Sequence, residues 1–263
     1  MNNSVTMVTA FFDINREKKG DGRSIGKYLQ WIKRTLQLNC NLYIVTEKKF
    51  VDFMRHHRPN DYNTYIKEDT LENAQYYKYR EKMVEILESE EYKKRIKHSN
   101  RVECKLPEYN IIQYSKFGWL KDAIKENPFN SGFFFWIDAG ISRFFLNTDI
   151  SKPYPSNNQV KRFDDRFIIQ CRHDIHSYPF DANTFIWGSD NLLIGTMFGG
   201  SKNSILMVDK KLEEEFNKSM LEKNNVNNEQ LGLALVYKKN PYLFNLVNSI
   251  RGYHLVLFKL LSQ

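Results

Sequence analysis

Residues 5–14, VTMVTAFFDI, are a run of apolar and β-branched side chains and predict a buried strand. The charged stretch 15–23, NREKKGDGR, interrupts it with two glycines. Ser24 is placed to cap a helix in which Ile25, Tyr28, Leu29, Ile32 and Leu36 recur at helical spacing. That helix ends at 39–41, and residues 42–46, LYIVT, predict a second strand. Strand, helix, strand in this order predicts a βαβ unit, and so a parallel pair in an α/β sheet.

Residues 60–105 change in character. Positions 69–97 are dense in Glu, Lys, Arg and Tyr, with Leu71, Ala74, Met83, Ile86 and Leu87 as the few core candidates. They predict a helical insertion on the surface. Over 111–124, Tyr114, Phe117, Leu120 and Ile124 share one helical face. A turn at 127–132 leads to FFFWI at 133–137, a fully apolar strand that stops at Asp138-Ala139-Gly140. A loop follows at 147–165, then strands at 167–170 and 190–200 and helices at 204–220 and 227–237. Neither a repeat nor a linker rich in Pro, Gly or Ser interrupts this order. The expectation is a single α/β domain with a mixed sheet flanked by helices and a helical insertion at about 60–105.

A chain of 263 residues can bury a core without disulfides. With 41% hydrophobic, 14% aromatic and 27% charged residues, it is neither a disordered tail, a collagen-like repeat nor a membrane bundle. Its apolar runs fall short of the roughly 18 residues a spanning helix needs, so membrane contact is expected to be peripheral at most. The N-terminus lacks the pattern of a signal peptide. Cys40, Cys104 and Cys171 are odd in number and form no CxxC, which points to a reducing, cytoplasmic setting without structural zinc. The net charge is +8, but the lysines are scattered, which fits solvated faces better than a nucleic-acid patch.

Five places could carry chemistry. Asp138 ends a buried strand, where ligands of open α/β sheets bind; it could hold a divalent cation beside a diphosphate, or cap a turn. Ala139 and Gly140 leave the backbone approachable there. Lys116, on the preceding helix, could meet a phosphate or stay solvated. GTMFGG at 195–200 permits close approach of a ligand, yet matches neither a dinucleotide fingerprint nor a P-loop, and an unliganded turn explains it equally. Glu229 opens a helix, as a general base or as an acidic residue favoured by the helix dipole. His254 is a lone histidine, and His173 and His176 form an HxxH without a third ligand.

The order of these segments carries a resemblance. VTAFFDINR, then YLQWIKRTLQLNCNLYIVT, SKFGWLKDAI, FFFWIDAG, GTMFGG and NNEQLGLALVYKKNPYLF resemble the HtrL/YibB family and, more broadly, glycosyltransferases of the GT-A (Rossmann-like) fold. The resemblance implies transfer of a sugar from a nucleotide-sugar donor, most simply a UDP-sugar, to a glycan or other hydroxyl acceptor. It places Thr9, Ala10, Phe11 and Arg16 around the base and ribose, and Lys116 near the donor. Asp138-Ala139-Gly140 stands where such enzymes carry a DxD motif that binds manganese, with Gly140 in place of the second carboxylate. Asp138 would then ligate the metal with His254, or else Lys and Arg, Arg143 being nearest, would neutralise the diphosphate without metal. Gly199, Gly200 and Gln230 fall on the acceptor or donor-sugar side. Glu229 is the first choice of base and Asp190 the second. A non-catalytic relative that binds a glycan or nucleotide, or a basic nucleic-acid-binding protein, are the alternative readings.

Overall fold

The computed structural model describes residues 4–145, 149–156, 159, 164–248 and 255–262. Its strands are β1 (Val5–Phe11), β2 (Asn41–Thr46), β3 (Thr64–Glu68), β4 (Phe133–Ile137), β5 (Phe167–Cys171), β6 (Leu193–Ser201) and β7 (Phe244–Val247). They form one sheet in the order β3-β2-β1-β4-β6-β5-β7. The helices used below are α1 (Arg16–Lys19), α2 (Ile25–Thr35), α3 (Lys48–His57), α4 (Arg80–Glu88), α5 (Glu90–Arg95), α6 (Pro107–Glu126), α7 (Ala182–Phe185), α8 (Lys202–Glu215), α9 (Glu229–Lys239) and α10 (Val256–Ser262).

The expected βαβ unit is present. α2 starts at the Ser24 cap, whose hydroxyl accepts from the Lys27 amide, and returns the chain to β2, parallel to β1. The sheet is mixed: β4 is parallel to β1, whereas β6 runs antiparallel to both β4 and β5. Helices cover both faces. On β4, Phe134 and Trp136 enter one core with Phe117 and Leu120 of α6, while Phe133, Phe135 and Ile137 enter the other with Ile32 of α2 and Leu36 just after it. A strand buried on both faces has no polar side, which is why FFFWI is apolar throughout.

The structure departs from the sequence reading at several places. Residues 64–68, inside the stretch expected as a helical insertion, are the edge strand β3, parallel to β2 and reached through α3. Its side chains are half-buried or exposed, so the hydrophobic signal was weak. The insertion proper is α4 and α5 with short 3₁₀ turns. β1 stops at Phe11 and not at residue 14. The helix expected over 204–220 is α8, ending in a π turn at Phe216–Met220 that buries both terminal residues of the turn. β7 was not expected; it is short and half-buried along most of its length. Among the described residues no helix is long and apolar enough to cross a membrane.

From β1 the chain moves to β2 on one side, and it later enters β4 on the other. Loops leaving two such neighbours diverge. The carboxyl ends of β1 and β4 therefore open a crevice, the place where α/β sheets bind ligands.

Candidate functional site

A cleft of about 1050 Å³, its open mouth included, occupies that crevice. One wall is the chain leaving β1, from Ala10 through Arg16, and another is the chain leaving β4, from Asp138 through Gly140, with Arg143 beyond. Tyr28 of α2 and Tyr109 and Lys116 of α6 complete it. Ala10, Phe11, Arg16, Lys116, Asp138, Ala139, Gly140 and Arg143, all expected around a donor, line this one space. Thr9 does not. It lies one residue deeper in β1, fully buried, and its hydroxyl has no hydrogen-bond partner among the described residues.

Lys116 is the centre of the polar floor. It sits mid-helix on α6 with 1% exposure, its ammonium 5.7 Å from the centre of the Trp136 ring. Nζ donates to the Gly195 carbonyl at 2.9 Å and to Glu229 Oε1 at 2.8 Å, and lies 3.2 Å from Asp138 Oδ1. Three acceptors match the three N–H bonds of an ammonium. Burial alone would lower the Lys116 pKa, but Asp138 and Glu229 outweigh it and hold it above the ordinary lysine value. Burial pushes the Glu229 carboxyl up, with Lys116 opposing. The antiparallel strand β6 makes this junction possible. Its Thr196 carbonyl accepts from the Asp138 amide at 2.9 Å, and Gly195 next to it has no side chain. A Cβ on Gly195 would meet Glu229 Oε1 at 2.2 Å.

Asp138 is held from two sides. Trp136 Nε1 donates to Oδ1 at 2.7 Å, on the same oxygen that faces Lys116. The side chain keeps 27% exposure toward the cleft. Oδ1 is thus committed to the protein, and Oδ2 is the oxygen available to a ligand.

Cations and rings line the opposite side. Arg16 donates through Nε and Nη2 to the two carboxylate oxygens of Asp21, each at 2.7 Å, and through Nη1 to the Tyr28 hydroxyl at 2.6 Å. Its guanidinium also lies over Tyr109, 4.8 Å from the ring centre. The Arg16 hydrogen bond holds the Asp21 carboxyl below the usual range. Sequence reasoning missed Tyr28, Tyr109 and Trp136 as parts of the site, and it took Gly195, in GTMFGG, as a place for a ligand, whereas its carbonyl holds Lys116. Tyr28 and Trp136 carry the same pattern as core residues, and only their polar tips distinguish them.

The remaining expected residues lie elsewhere. Gly199 sits inside the β4–β6 pairing opposite Phe135, where a Cβ would come within 2.2 Å of the Phe134 carbonyl oxygen. Gly200 has φ +152 and packs against Ser204 and the Arg166 carbonyl. Neither lines the cleft; both are required by strand packing. Asp190 is exposed, accepts from the Tyr178 hydroxyl and stands outside the cleft. Gln230 is half-buried behind Gly195. Glu229, expected as a base, is fully buried and reaches the cleft only through Lys116. Among the described residues its Oε2 has no hydrogen-bond partner. His254 lies outside the described residues.

Comparison with curated proteins returns no match. Among solved structures, mouse xyloside xylosyltransferase 1 in its apo form aligns with 93% of this chain and 85% of its own, at 9% identity and a TM-score of 0.45. A glycosyltransferase involved in glycosylation of the major capsid of PBCV-1 aligns with 93% of this chain and 82% of its own, at 12% identity and a TM-score of 0.39. The 4-diphosphocytidyl-2C-methyl-D-erythritol synthase of Anaerococcus prevotii aligns with 95% and 90%, at 9% identity and a TM-score of 0.40. At these values none of the three likenesses decides an activity. The family model described as "Bacterial protein of unknown function (HtrL_YibB)" matches residues 3–263, and the chain belongs to that family.

Proposed function

We propose that this protein is a glycosyltransferase of GT-A type that moves a sugar from a nucleotide-sugar donor, a UDP-sugar in the simplest case, to a hydroxyl of a glycan. The reading takes the whole chain as one catalytic domain acting in the cytoplasm. The observation that carries it is Asp138: a carboxylate at the end of a buried strand, fixed by Trp136 and Lys116, in a cation- and aromatic-lined cleft at the sheet's topological switch. Tyr28 and Tyr109 offer rings to a base, and Arg16 lies between them.

In this reading Asp138 Oδ2 accepts from a hydroxyl of the donor and sets its orientation. Lys116 acts as a positioning residue. Its ammonium offsets the charge of Asp138 and, with Trp136, leaves that side chain one orientation. Glu229 holds Lys116 in turn. Negative charge growing on the leaving diphosphate would be met by fixed cations of the cleft, with no reorganisation at the moment of reaction.

Manganese, expected from the resemblance, finds a poor donor set in the described residues. Hard divalent cations take about six oxygen ligands, typically including one or two carboxylates. Asp138 offers one free oxygen, with an ammonium 3.2 Å from the other, and Gly140 adds none. No group of three or more His, Cys, Asp or Glu that could hold a metal occurs among the described residues. No step is therefore routed through a metal.

The test is release of nucleotide from a panel of UDP- and GDP-sugars by the purified protein, with and without manganese. Asp138→Ala should lower release at least a hundredfold while the circular dichroism spectrum and melting temperature stay close to wild type. Unchanged turnover in that variant would overturn the site. A wild-type protein that neither releases nor binds any nucleotide would overturn the transferase reading.

A further inference from the structure

Among the described residues, four cations line the cleft: Arg16, Arg23, Lys116 and Arg143. Two of them are already spent. Lys116 has its three N–H bonds directed at Gly195, Glu229 and Asp138, and Arg16 is chelated by Asp21 and bonded to Tyr28. The other two are held more loosely. Arg23 has only a 3.7 Å approach to Asp21, whose oxygens are both taken by Arg16, and a 3.4 Å contact with the Tyr28 hydroxyl. Arg143 is exposed and, among the described residues, makes no ion pair; its guanidinium lies over the rings of Trp31 and Phe144.

Both of these guanidiniums rest on one side chain. The Cζ of Arg23 is 5.7 Å from the centre of the Trp31 ring, and that of Arg143 is 5.3 Å from it. An indole face attracts a cation, so Trp31 can hold both arms in place while leaving N–H donors of each open to a ligand. Two like charges gathered on one ring, with no carboxylate shared between them, raise the local potential and favour a multivalent anion.

Trp31 also accounts for Gly140. A Cβ at that position would come within 3.2 Å of Trp31 Cε3 and 3.8 Å of Tyr28 Cε1. Any side chain there would require the indole to give by a few tenths of an ångström. The missing acidic residue and the paired arginines are therefore two aspects of one arrangement, built around Trp31.

We propose that Arg23 and Arg143, backed by Trp31, form a clamp that binds the diphosphate of the donor nucleotide directly, in the role a metal ion held by a second carboxylate would otherwise fill. The proposal rests on the nucleotide-sugar reading above and says which groups bind the diphosphate. Planar guanidiniums suit this task, because each can present two parallel N–H bonds to phosphate oxygens.

Calorimetric titration with inorganic pyrophosphate, UDP and uridine, each in EDTA and in manganese, tests it. Wild type should bind UDP and pyrophosphate in EDTA with an affinity that manganese changes less than threefold. Arg143→Gln and Arg23→Gln should each weaken both diphosphates about tenfold or more, as expected for loss of a charge-assisted hydrogen bond, and leave uridine unaffected. Trp31→Leu should weaken the diphosphates although both arginines remain. Arg143 is exposed, so its variant keeps the test valid even if Trp31→Leu unfolds. Unaltered diphosphate affinity in both arginine variants, or binding that appears only with manganese, would overturn the clamp and leave the transferase reading standing. If wild type binds neither UDP nor pyrophosphate under any condition, both fall.

Discussion

The Lys116 junction is a buried charge cluster, and its energetics follow from which partner is removed. Lys116→Met would leave Glu229 fully buried without a cation, and losing one partner of a buried pair costs about 3–5 kcal/mol. The double variant Lys116→Met with Glu229→Gln removes both charges, so urea denaturation should find it more stable than the single lysine variant. A double variant at least as unstable as the single one would mean that the cluster is held by packing alone. Asp21 gives a pH signature of the opposite wall. Its folded pKa lies below the ordinary value of 3.8 because of the Arg16 hydrogen bond. The stabilisation it supplies is complete above that value and fades as pH falls through the lower folded one. The stability gap between wild type and Asp21→Asn should therefore be full near neutrality and close on acidification below 3.8. Because Asp21 keeps 30% side-chain exposure, added salt should also narrow the gap. At this scale the sequence singled out Asp138, Lys116 and Glu229 but not their mutual contacts. Lys116 is 113 positions from Glu229, and helical spacing gives no sign that a lysine on α6 is interior.

Among the elements, α9 is the one on which the site depends most directly, because Glu229 is its first residue. The helix is fixed by Asn228, whose Oδ1 accepts from the Gln230 and Leu231 amides and whose amide group donates to Glu103 and Asn191. Asn228→Ala should cost about 1–2 kcal/mol for the cap alone, and more for the buried hydrogen bonds to Glu103 and Asn191 it loses. Thermal unfolding should show the loss, and Asn228→Asp should restore only the cap. The strands β1, β2, β4 and β6 and the helices α2, α6 and α9 could be read from the chain because each has a long apolar face or a clear cap. β3 and β7 could not, since strands half-exposed at a sheet edge alternate too weakly to stand out. The antiparallel direction of β6 was equally hidden. It is set by sheet closure and not by any local pattern.

Across the whole molecule, the cleft joins segments separated by most of the chain: residues 10–28 on one wall, 138–143 on another, 109–116 with Lys116 on the floor, and 195 and 229 beneath. The ligand-facing walls lie in the first 143 residues, whereas the groups that hold Lys116 come from the later part. The position of β6 has a consequence for synthesis. β4 is interior only because β6, beginning 56 residues after it ends, closes its open side. Until the ribosome has delivered Leu193–Ser201, FFFWI is an uncharged aromatic strand with an unsatisfied backbone edge, the kind of segment that pairs with other chains. The nascent chain therefore passes through an aggregation-prone interval that the finished protein does not have. Any truncation that removes β6 makes that interval permanent.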